Sequence, residues 1–165
     1  MIVTLIYTEQ DIFKSVKEDT SHLAERTKDS KGESMFNDIV YDEEYMINFK
    51  RVFLQAQGNV LEKCMAYIKS LPAGAEYNDN QNFDTNKDFV LQLNMPDTFV
   101  AQASRILDVR IRTYLVTYII YGWLKDKLPN VAAIYYSELE ELLSGVKSTL
   151  HLRTTPIRTV GRLYE

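Results

Sequence analysis

The segment Tyr114–Leu124, YLVTYIIYGWL, carries no charged residue. A helix that is apolar all round has to be covered all round. A membrane span needs about 20 such residues, and this run has 11. It therefore predicts a central helix, enclosed by its own domain or by neighbouring subunits. Upstream, Val100, Ala103, Leu107 and Ile111 share one side, with Arg105 and Arg112 elsewhere. Together these segments predict one long helix, capped by Asp97 and running to about Lys127.

The rest of the chain supplies partners for it. Ile2–Tyr7 is β-branched and aromatic, which predicts a short strand. Thr8 followed by Asp11 resembles a capping box and starts a helix near Glu9 that ends before KDSKGES. Met35–Tyr41 reads as a second short strand. From Glu43 to about Leu71, Phe49, Phe53, Ala56, Val60, Cys64, Ile68 and Leu71 recur every three or four residues, the pattern of a long amphipathic helix. Pro72–Asp88 is a loop rich in Asn, Asp and Gly. In FVLQLNM, Phe89, Leu91, Leu93 and Met95 alternate with Val90, Gln92 and Asn94 as a one-sided strand stopped by Pro96. After Pro129, a stripe of Val131, Tyr135, Leu139, Leu142, Val146 and Leu150 predicts a last helix. The expected fold is mainly α (α+β): a bundle of three to four helices with two or three short strands. Residues 1–150 form the domain and residues 151–165 an extended C-terminal arm.

The side chains that enzymes use are present but scattered. All six glycines are isolated, so no phosphate-binding loop is formed. His22 and His151 are far apart, and each suits a surface position. Cys64, the single cysteine, falls on an apolar helix stripe and reads as a small core residue. Glu138 and Glu141 lie one turn apart with no histidine beside them, as on a solvated helix face. NDNQNFDTNKD is rich in oxygen ligands but lacks EF-hand spacing. The sequence thus predicts no catalytic residue, no metal site and no cofactor. A lone thiol, no basic leader and no long apolar run predict a soluble, intracellular chain without membrane contact.

A net charge of −4 gives no basis for sequence-specific nucleic-acid binding. The charge is unevenly placed: from His151 onward, three arginines and one glutamate make the arm +2, leaving −6 on the body. In the arm, Arg153, Pro156, Ile157, Arg158, Val160, Arg162, Leu163 and Tyr164 interleave apolar and basic groups, and Pro156 and Gly161 prevent a helix. Such a segment suits an extended pose in a groove or at a sheet edge of another subunit. Tyr114, Tyr118, Ile119, Tyr121 and Trp123 are the expected packing or interface positions, and Gly122 beside Trp123 suggests a close helix approach.

The order of parts is a short strand and helix, a DSKGES turn, a long helix, KDFVLQLNMPDTFV, a helix hairpin through YGWLKDKLPNVAAIYYSELEELL, and an RTTPIRTVGRLYE tail. This layout resembles the head–tail connector, or adaptor, proteins of tailed phages and prophages of Bacteroides-type hosts. The resemblance implies a non-enzymatic subunit of a homo-oligomeric ring in the virion neck. Such a subunit contacts the portal and tail or other neck proteins, and resides in the host cytoplasm before assembly. The alternative from a different class is a small soluble helical interaction or regulatory module with a partner groove on its aromatic helix.

Overall fold

The computed structural model describes residues 1–68 and 88–154. Within them the chain is mostly helical, with one two-stranded antiparallel sheet. Strand β1 (Ile2–Tyr7) pairs with β2 (Phe89–Asn94), Ile2 opposite Asn94 and Tyr7 opposite Phe89. Side chains alternate across a strand. Val3, Leu5 and Tyr7 of β1 and Phe89, Leu91 and Leu93 of β2 therefore enter the core, and Ile2, Thr4, Ile6, Val90, Gln92 and Asn94 face outward.

Helix α1 (Glu9–Arg26) begins as the sequence predicts: the Thr8 side chain accepts a hydrogen bond from the Asp11 amide at 3.2 Å. It buries Ile12, Phe13, Val16, Thr20 and Ala24. The turn that follows needs Gly32, whose φ of 80° is open to a residue without Cβ.

Met35–Tyr41 is not a strand. Phe36–Ile39 form a single helical turn, α2, in which the Val40 amide donates to the Phe36 carbonyl. The Asp38 and Ile39 amides donate to Met35 O, and side chains take two further groups: Ile39 O accepts from Trp123 Nε1 at 2.7 Å, and the Tyr41 amide donates to buried Thr20 Oγ1 at 3.1 Å. Among the described residues no strand lies alongside to pair with it; Ile39 and Tyr41 enter the core through a turn, and Phe36 stays exposed.

The next helix is shorter than predicted. Asp42 caps a 3-10 turn, Glu43–Tyr45, which leads into α3 (Met46–Cys64) and a second 3-10 turn, Met65–Tyr67. The expected stripe is present, with Phe49, Phe53, Ala56, Val60 and Cys64 all buried. Ile68 has left the helix and bridges to Leu93 on the far side of β2; Leu71 lies outside the described residues, as does the Pro72–Asp88 loop up to residue 87.

Helix α4 (Ala103–Leu124) starts six residues after Asp97, which is not its cap. The backbone there has another use: Phe99 bridges to Arg153, and Thr98 O accepts from the Thr154 amide at 2.7 Å. Asp97 is fully exposed, 3.6 Å from the Met1 nitrogen. Helix α5 (Pro129–Leu150) opens with Pro129 in its first turn and folds back on α4, burying Ala132, Leu139, Val146, Thr149 and Leu150. Helices α1, α3 and α5 all pack on α4, which makes it the axis of the core.

Candidate interaction surfaces

The predicted packing residues sit on the second half of α4. Tyr114, Ile119 and Trp123 are buried, whereas Tyr118 and Tyr121 are partly covered. The cover is intramolecular. The Tyr114 hydroxyl accepts from Asn59 Nδ2 of α3 at 2.9 Å. The Trp123 ring lies 4.5 Å from Tyr41 and 4.6 Å from Tyr45, centroid to centroid. Lys127 Nζ stands 3.5 Å over the indole and donates to Asp38 O at 2.6 Å. Burial pulls this ammonium below its ordinary value.

Beside this cluster a groove of about 490 Å³ runs between α3 and the end of α4, lined by Arg51, Val52, Gln55, Tyr118, Tyr121 and Lys125 among others. Gly122 forms part of its floor. A Cβ there would meet Val52 Cγ1 at 3.6 Å, an ordinary contact, so the helices do not require glycine for close approach. Gly122→Ala is therefore expected to stabilise the chain by about 1 kcal/mol through helix propensity, as a rise in the urea midpoint.

A second groove, about 560 Å³, separates α4 from α5 and contains Glu138 and Glu141. Arg110 spans it: Nη1 donates to Gly145 O at 2.6 Å and to Thr149 Oγ1. The guanidinium lies so close over Gly145 that a Cβ there would sit 3.2 Å from Nε. This arginine, with no marked role in the sequence, ties the two longest helices together.

Among the described residues, no three His, Cys, Asp or Glu come together as metal ligands, and no helix is long and apolar enough to cross a membrane. Cys64 is fully buried, and desolvation pushes its thiol up to about 11. His151 Nδ1 is 3.2 Å from the Tyr67 hydroxyl, and His22 is exposed, 4.0 Å from Glu25.

Of the predicted arm, Arg153 falls within the described residues; Pro156, Ile157, Arg158, Val160, Arg162, Leu163 and Tyr164 lie outside them. Arg153 is directed at its own chain. Nη1 donates to Leu150 O at 2.8 Å and Nη2 to the Tyr67 hydroxyl at 3.1 Å.

Among the described residues, several apolar side chains face outward, Ile47, Met65 and Ile134 included, and two sets of them lie on one surface each. One is the sheet's outer face, with Ile2 55%, Ile6 56% and Val90 51% exposed. The other is a stripe on the first half of α4, where Ile106 and Val109 lie one turn apart and are 48% and 62% exposed. Periodicity does not mark this stripe, because it sits beside Arg105 and Arg112, away from the Val100, Ala103, Leu107 and Ile111 side. No family model, curated protein or solved structure matches this chain.

Proposed function

We propose that this chain is a structural subunit of a phage head–tail connector, joining portal to tail in a ring in the virion neck. The order of its elements and its C-terminal segment are the basis for that class. The observation that carries the reading is the α4 stripe. Ile106 and Val109 stand in solvent on a helix whose other sides are closed by α1, α3 and α5. Exposed apolar groups on a well-packed element suit contact with another protein. The role is structural, with contacts made by helix surfaces.

The test is native mass measurement of the chain alone and mixed with its portal. A ring or a portal complex is expected, and Ile106→Glu with Val109→Glu should weaken it at least tenfold without shifting the melting temperature. A chain that stays monomeric with the portal at high concentration would overturn the reading. That outcome would favour the second one, an interaction module, for which the aromatic groove between α3 and α4 is the supporting observation.

A further inference from the structure

The hydrogen-bond parity of the sheet shows which backbone groups lie along its edge. Met1 and Met95 exchange both backbone hydrogen bonds, each at 2.8 Å. In an antiparallel pair such residues alternate with ones that turn their N–H and C=O away from the partner strand. Val3, Leu5 and Tyr7 therefore bond to β2, and Ile2, Thr4 and Ile6 direct their backbone groups to the other side of β1. Among the described residues, Ile68 bridges to Leu93 on the far side of β2, and no strand meets the edge of β1. None of the devices that block an edge is found on it: IVTLIY has no charge and no proline. At its two ends the Met1 nitrogen lies 3.6 Å from Asp97, and the Glu9 carboxylate 3.9 Å from Lys50. The residues that face outward, Ile2, Thr4 and Ile6, form a set that reads the same in both directions.

We propose that this edge pairs with the same edge of a second copy, β1 antiparallel to β1 about a two-fold axis at Thr4. Residues that face outward pair only with residues that face outward, so the register can change only in steps of two. With Thr4 opposite the partner's Thr4, Ile2 faces the partner's Ile6 and Ile6 the partner's Ile2. Every outward N–H and C=O of the three residues then has a partner. Shifting the register by two in either direction leaves one of the three unpaired. A two-fold contact must be self-complementary, and this palindromic edge is. Threonine opposite threonine is favourable across strands, and the facing isoleucines, each more than half exposed, cover one another's flank. The choice of partner follows from charge. The chain as a whole carries −4, yet this strand is neutral, so a second copy meets no like charge along it. The contact belongs to the free subunit and does not rest on the connector reading. Ile106→Glu with Val109→Glu should leave it intact.

Sedimentation velocity of the full chain over a range of concentrations tests it, with Thr4→Lys and Thr4→Glu as variants. The Thr4 side chain is exposed, so both variants should keep the fold and melt with the wild-type chain. The wild-type chain should form a dimer that dissociates on dilution. Each variant alone sets like charges opposite one another at the axis and should weaken the dimer by about tenfold or more. Mixing the two variants should restore it as a heterodimer. In the wild-type chain the amides of Ile2, Thr4 and Ile6 should exchange more slowly as concentration rises, with Val3, Leu5 and Tyr7 unchanged. A chain that stays monomeric at about 1 mM would overturn the proposal. So would a dimer that neither variant weakens, or one that both weaken and their mixture fails to restore.

Discussion

Replacing Trp123 by alanine should destabilise the chain by about 3–5 kcal/mol, the range for removing a large buried aromatic side chain. The indole is 9% exposed and joins elements far apart in sequence. Its ring packs on Tyr41 and Tyr45, and its N–H reaches Ile39 O at 2.7 Å. Alanine leaves a cavity, strands the Ile39 carbonyl, and removes the ring beneath Lys127. Trp123→Phe keeps a ring but loses the donor, so it should cost less, about 1–3 kcal/mol. Urea unfolding of the three proteins checks the order. A loss below about 1 kcal/mol for the alanine variant would mean that this cluster does not hold the α2 turn to α4.

Raising the pH from 8 to 11 should produce a loss of similar size. Burial raises the Cys64 thiol from 9.0 to about 11, so the folded chain favours the neutral form more than the unfolded chain does. The stability this gives is complete below about pH 9 and is lost as the pH rises toward 11, roughly 2–3 kcal/mol in all. Tyr7, Tyr41, Tyr114 and Tyr135 are each raised from an ordinary value of 10.0, chiefly by burial, and act in the same direction. Unfolding free energies measured between pH 7 and 11 should therefore fall steeply above pH 9. Cys64→Ala should begin from a lower value and fall less steeply between 9 and 11. A parallel decline in both proteins would show that the thiol does not contribute.

Much of the fold was legible where one physical rule acted alone. The limits of β1 followed from a β-branched run ended by a capping threonine, and β2 from strict alternation before Pro96. The α3 stripe and Pro129 at the start of α5 followed from helical period and proline geometry. The errors arose where a backbone segment found a distant partner. Asp97 could have capped a helix, but residues 98 and 99 pair with 153 and 154. Met35–Tyr41 had strand composition, but Trp123 and Thr20 satisfied its backbone from two different helices. Ile68 continued a helical stripe in sequence and was drawn to Leu93 in space.

The candidate surfaces divide in the same way. Most of Tyr114–Leu124 had to be covered because a helix that is apolar on nearly every side is costly to leave in water, and the sequence alone determined that much; Tyr118 and Tyr121 stay partly exposed. Only the tertiary structure decided that α1, α3 and α5 of the same chain provide the cover. Ile106, Val109 and the outer face of β1 were apolar in sequence, but so are many buried positions. Which apolar residues remain outside depends on which faces the neighbouring elements occupy. That is a matter of three-dimensional packing, and local periodicity does not encode it.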